Sequence, residues 1–140
     1  MRPSLDEYFM QFARDASARA TCDRAYVGAV LVKDKHIVTT AYNGAPCGLP
    51  DCNDVGHWMV DNHCVRAVHA EMNAIIQCAI HGVSSVGSTL YCTHSPCVRC
   101  AQALINAGIK RAVYEIEYRP DPLVMELYSL AGIEVLHYGY

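Results

Sequence analysis

Two short stretches constrain this chain more than any others: His69-Ala70-Glu71, and Pro96-Cys97-Val98-Arg99-Cys100 further on. Each stands where turn and strand residues give way to a helical pattern. The histidine, the glutamate and both cysteines can therefore converge where two helix N-termini meet. Cys97 and Cys100, three apart, point the same way from one helix turn. The first turn is also the positive end of the helix dipole, which favours thiolates and hence metal binding. His69 adds a nitrogen ligand from the other helix. Three such ligands hold a zinc ion and leave its fourth position to water. Glu71 does not share the direction of His69, but it can approach that water from the side and move its protons. A fold that kept residues 69 and 97 apart would leave this chemistry nowhere to happen.

Each half of this pattern has an ordinary explanation. A lone C-x-x-C is often a redox pair or part of a closed structural site, and any helix can contain H-x-E. With both present, the proline in place and a strand before each helix, catalytic zinc is the better reading. Size and charge narrow the substrate. A chain of 140 residues is expected to form a single domain over 1–140 with a real core. A net charge of -3 and a pI near 6.1 leave no electrostatic footprint for long nucleic acid, which argues for a small substrate. No apolar run is long enough to cross a bilayer, and the N-terminus lacks a signal-peptide core. Eight cysteines in such a chain fit a reducing compartment, where metal explains cysteine pairs better than disulfides do. The expected location is cytoplasmic.

Along the chain, Ser4-Leu5-Asp6-Glu7 has the form of a capping box, and apolar residues then recur at helical spacing to about Ala20. Residues 27–32 and 36–42 read as paired strands, with Asp34-Lys35 as the hairpin turn. From Asn43 to about Cys64 the pattern breaks into a long loop rich in Gly, Pro, Asn and Asp. A loop of that length is usually functional or pinned. It carries Cys47, Cys52, His57, His63 and Cys64, so a second metal is the candidate pin. A helix is expected to start between Val65 and Val68 and stop at Gly82. Residues 89–93 form a short strand. Ser95 is then the expected N-cap, and Pro96 the first-turn proline, of a helix ending at Gly108. A strand over 109–115, a helix from Asp121-Pro122 through Leu130 and a strand over 134–137 complete the chain. A hairpin followed by alternating helices and strands implies one sheet with helices on both faces. Backbone groups at Ala70 and Ser95 are placed to read the edge of a ring held at the zinc. The chemistry that follows is hydrolytic deamination, with Glu71 serving the ring nitrogen and the departing amine.

The pairing of H-x-E with P-C-x-x-C is a known signature of zinc nucleobase deaminases. Together with Cys22-Asp23-Arg24, Val27-Gly28-Ala29-Val30, Tyr42-Asn43-Gly44-Ala45-Pro46, His69 to Ile75, Thr93-His94-Ser95-Pro96-Cys97 and Ala107-Gly108-Ile109-Lys110, it extends to about Tyr118. On these stretches the chain resembles the cytidine deaminase superfamily, and within it the deoxycytidylate deaminases. The resemblance implies a three-layer α/β/α sandwich around a five-stranded mixed sheet, and conversion of dCMP to dUMP and ammonia for thymidylate synthesis. It implies His69, Cys97 and Cys100 as zinc ligands, Glu71 as proton shuttle, and Asn43 at the sugar. Tyr118 would close over the nucleotide near its phosphate; plain packing is the alternative for that ring. Arg24 is a phosphate partner on chemical grounds, a solvated loop charge being the other reading.

A second, structural zinc found in some members would use Cys22, Cys52, His57 and Cys64, with His63 an alternate. Cys78 and Cys92 fit buried small apolar residues instead, and Cys47 is unassigned. Ala41 and Leu49 depart from the residues common in the family, in a region that in many members serves control by dCTP and dTTP. Relatives form hexamers or dimers, so a homo-oligomer is implied. Related enzymes of this fold act on modified cytosines, tRNA adenosine or a riboflavin precursor. A zinc-stabilised binding module without catalysis is the remaining alternative.

Overall fold

The computed structural model describes residues 1–139; Tyr140, the last residue of the domain expected over 1–140, lies outside the described residues. The first helix, α1 (Leu5–Ser17), begins where the capping box predicts, the Ser4 hydroxyl accepting the Glu7 N–H at 3.2 Å. It stops short of Ala20. There the N–H groups of Ala18, Arg19 and Ala20 each turn back to a carbonyl three residues earlier, which tightens and ends the last turn.

β1 (Gly28–Lys33) and β2 (His36–Tyr42) form the expected hairpin. Asp34 and Lys35 take φ of 52° and 65°, as a two-residue turn of the matching twist requires. The long loop is not featureless: it holds a one-turn helix, α2 (Cys52–Val55), and a small hairpin, β3 (Met59–Val60) with β4 (His63–Cys64). Next comes α3 (Ala70–His81), which starts later than the expected 65–68. Val68 is held in an isolated bridge to Gly44, with both its N–H and its carbonyl used, so it cannot join the helix. β5 (Thr89–His94), α4 (Val98–Asn106), β6 (Arg111–Ile116), α5 (Pro122–Leu130) and β7 (Glu134–His137) follow. The expected N-cap of α4 is corrected. Cys97, not Ser95, caps it, with the sulfur accepting the Cys100 N–H at 3.5 Å.

The strands assemble into a five-stranded mixed sheet in the order β2-β1-β5-β6-β7, the first two pairings antiparallel and the last two parallel. Alternate residues point to opposite faces. Val30, Val32, Tyr91 and Val113 face Phe9, Met10 and Ala13 of α1. Ala29, Leu31, Leu90, Cys92 and Ala112 face α3, α4 and α5 through Ala74, Cys78, Ala101, Leu104, Val124 and Tyr128. The three-layer α/β/α sandwich is thus the fold. A bidentate pair of Arg111 with Asp6, at 2.9 and 3.0 Å, fastens α1 to β6, and the Tyr91 hydroxyl adds a 2.7 Å bond to the same carboxylate. Arg111 holds the Asp6 carboxyl below its ordinary value. The two parallel pairings place the carboxyl ends of β5 and β6 beside the N-termini of α3 and α4, where open α/β sheets bind ligands.

Candidate metal centre and cavity

His69 is the N-cap of α3, and no side-chain bond of its own caps that helix. Its imidazole is therefore available to point across to α4. His69 Nδ1 lies 3.5 Å from Cys97 Sγ and 3.4 Å from Cys100 Sγ, and the three donor atoms all fall within 4.8 Å of one another. Tetrahedral zinc, with sulfur at about 2.3 Å and nitrogen at about 2.0 Å, needs donors about 3.5 Å apart. The set fits the ion. Electrostatics agree with the geometry. The Cys97 thiol is held well below its ordinary value, first by the Cys100 thiol and then by His69, while Cys97 and burial push Cys100 up. A pair sharing one proton in this way is poised to lose it to a cation.

Glu71 sits in the first turn of α3 and is 4% exposed. Burial raises its carboxyl to about 7, opposed by its own backbone N–H and by the charge on His69. A carboxyl of that kind exchanges protons at neutral pH. It belongs to none of the donor sets, so it remains free for that work.

The second cluster forms too. Donor atoms of Cys22, Cys52, His57 and Cys64 lie within 4.8 Å of one another. Cys22 Sγ is 3.5 Å from His57 Nδ1, and Cys52 Sγ is 3.5 Å from Cys64 Sγ. Asp23 Oδ1 sits 2.8 Å from the other ring nitrogen of His57, the carboxylate-to-histidine support common behind metal ligands. Burial pushes the Cys52 thiol up to about 12. Against the same effect, backbone N–H groups of Arg66 and Trp58 bring Cys64 down to about 6. Four donors with no open position describe a closed site. One expectation is corrected: His63 lies outside the cluster, because its Nδ1 faces Arg119 Nη1 at 2.7 Å. Cys78 and Cys92 are buried as small apolar residues, and Cys47 is exposed.

Both clusters border one cavity of about 830 Å³, with His69, Ala70 and Glu71 among its lining residues. Asn43, buried in its wall, donates to Ala25 O and accepts from Val27 N–H, both at 2.8 Å, so it braces the connector ahead of β1. Ser95 differs from the expected cap: its hydroxyl accepts the Tyr118 N–H at 2.9 Å and donates to Tyr118 O at 3.2 Å. Its own N–H goes to Ile116 O. The half-buried Tyr118 ring stands edge-on to His94, 5.6 Å between centroids. Arg24 reaches Asn62 O at 3.2 Å.

Two lining residues were given no role by the sequence reading. His94, whose imidazole burial keeps below its ordinary value, follows Thr93 with no spacing signal. Arg119 follows Tyr118 in a loop where no periodicity marks either residue.

The model of the cytidine and deoxycytidylate deaminase zinc-binding region matches residues 3–116. The chain is 43% identical over 134 residues to ComE operon protein 2 of Bacillus subtilis, covering 96% of this chain and 71% of that protein. It is 35% identical to deoxycytidylate deaminase of Saccharomyces cerevisiae over the whole of this chain, but spans only 46% of the yeast protein's length. Among solved structures, the dCMP deaminase of cyanophage S-TIM5 in complex with dCMP and dUMP superposes with a TM-score of 0.85 at 32% identity, covering 100% of this chain and 99% of that one.

Proposed function

The chain belongs to the cytidine and deoxycytidylate deaminase family, and from that premise we propose that it converts dCMP and water to dUMP and ammonia. The observation that carries this reading is an open set of three zinc donors beside a buried, non-ligating carboxylate, at the wall of a nucleotide-sized cavity. His69, Cys97 and Cys100 would hold the ion. Zinc bound by three protein ligands supplies a Lewis acid and a water acidic enough to attack at neutral pH.

The remaining work falls to the chain. Glu71 would relay the two protons of the attacking water in turn, the first to the ring nitrogen and the second to the amine that leaves as ammonia. Ala70 is the first residue of α3, where N–H groups lack a helical partner, so its N–H can hold the ring carbonyl. Ser95, with N–H and hydroxyl committed elsewhere, can offer its carbonyl to the exocyclic amine. Asn43 borders the sugar, Tyr118 covers the nucleotide, and Arg24 meets the 5′-phosphate. Supply of dUMP for thymidylate synthesis, an oligomeric assembly, response to dCTP or dTTP, and cytoplasmic action are corollaries of the same reading.

Purified protein is expected to release ammonia from dCMP in preference to 5-substituted cytosine nucleotides, a tRNA anticodon stem-loop and aminated riboflavin precursors. Zinc-loaded protein that turns over no cytosine nucleotide would sink the proposal. The closed cluster of Cys22, Cys52, His57 and Cys64 would hold a second zinc. Elemental analysis should therefore find two zinc ions per chain, and one in Cys52→Ser. A count of one in the unaltered protein would show that the cluster holds its loop without metal.

A further inference from the structure

Tyr128, on α5, is 1% exposed, and among the described residues its hydroxyl is the one buried side-chain oxygen or nitrogen without a hydrogen-bond partner. A buried polar group in that state lowers stability, and phenylalanine would fill the same space without the loss. Packing alone does not explain the hydroxyl.

Its surroundings do. Tyr128 shares one buried cluster with Ala70, Cys92 and Ala101. Ala70 lies between His69 and Glu71, and Ala101 follows Cys100. Tyr128 does not line the cavity, so it meets the metal centre from the core side, behind the donors. Burial, and then the charges of Glu71, Cys92 and Cys100, keep its proton on far above the ordinary phenol value. Tyr128 is thus a hydrogen-bond donor at neutral pH. Negative charge gathers in front of it once a metal is held. Two thiolates and the Glu71 carboxylate around a doubly charged ion leave one negative charge in excess. The N-termini of α3 and α4 meet part of that excess. No lysine or arginine is buried among the described residues, so on the core side the rest falls to dipoles.

We infer that Tyr128 is a positioning residue for the metal centre: its hydroxyl, idle in the metal-free fold, supplies from behind a donor for the negative charge that Cys100 and Glu71 carry when zinc is bound. The inference rests on the zinc reading of the His69, Cys97 and Cys100 set and adds to it a supporting group from α5. It requires opposite effects on the fold and on the metal.

The test is Tyr128→Phe, which keeps the ring. In zinc-stripped protein the variant should melt about 3–6 °C higher, because an unsatisfied buried hydroxyl is gone. Its affinity for zinc at the open site should fall about tenfold to a hundredfold. Calorimetric titration of stripped protein with zinc reads that affinity, the open site being the step that Cys97→Ser abolishes. The gain in Tm is also expected in a Cys97→Ser background, where the closed cluster keeps its metal, so the comparison stands even if stripping unfolds the chain. A side chain that only packs would not raise Tm and weaken zinc together. Unchanged zinc affinity would overturn the inference and leave the zinc reading intact. A Tm that is unchanged or lower in the metal-free variant would also overturn it, by showing the hydroxyl already partnered there. If the unaltered protein takes no zinc at a step that Cys97→Ser removes, the donor-set reading fails and the inference with it.

Discussion

Glu71→Gln should lower kcat for dCMP by at least about 10³-fold while the protein keeps its zinc. The substitution preserves shape at a position that is 4% exposed, so packing is not disturbed. What it would remove, on the proposed reaction, is the oxygen that accepts the proton of the attacking water and hands it on. Because Glu71 is outside the donor set of His69, Cys97 and Cys100, metal content is the control. A variant that retains a tenth of its activity, or one that loses zinc, would take the proton-carrying role away from this residue.

The same variant has a signature in the metal-free protein. Burial raises the Glu71 carboxyl from its ordinary 4.5 to about 7 in the fold. Between those values the folded state binds more protons than the unfolded one, so stability falls as pH rises through that window. Glu71→Gln should flatten that part of the profile, as read by chemical unfolding of zinc-stripped protein at pH 5 and pH 8.

Gly28→Ala should cost about 3 kcal/mol or more, and so lower Tm by about 10 °C or more in a chain of this size. A Cβ at Gly28 would stand 1.9 Å from Ala13 O and 2.6 Å from Ser17 N, both backbone atoms of α1. No rotamer change relieves that clash, so α1 must lift from the sheet. Lifting it strains the Asp6–Arg111 pair and the packing of Met10 and Ala13, both fully buried. Gly44→Ala is the matched control, since its Cβ would meet nothing closer than the Thr21 hydroxyl at 3.5 Å. Thermal unfolding of the two variants should separate them. Near-equal Tm values would mean that α1 is not seated on β1 as closely as described.

The order of elements was legible because it rests on local physics. Ser4 before an acidic first turn, Asp34-Lys35 between two β-branched runs, and Asp121-Pro122 ahead of an apolar stretch each act within a few residues, and all three stand where expected. The donor cluster of His69, Cys97 and Cys100 was legible for a related reason: a set confined to two helix starts leaves a short, regular spacing. Boundaries set by distant partners were not. Whether α3 begins at residue 65 or at 70 depends on Val68 pairing with Gly44, and Ser95 gives up the cap of α4 because Tyr118 takes its hydroxyl.

Residues 69, 97 and 100, with Glu71 beside them, were thus determined by the chain's own pattern, because helix geometry turns spacing into direction. Only the tertiary structure could set aside His63, the alternate to His57 in the second cluster, by bringing Arg119 against it. That outcome is decided by contacts between loops far apart in sequence, whose hydrogen-bond partners no local periodicity records.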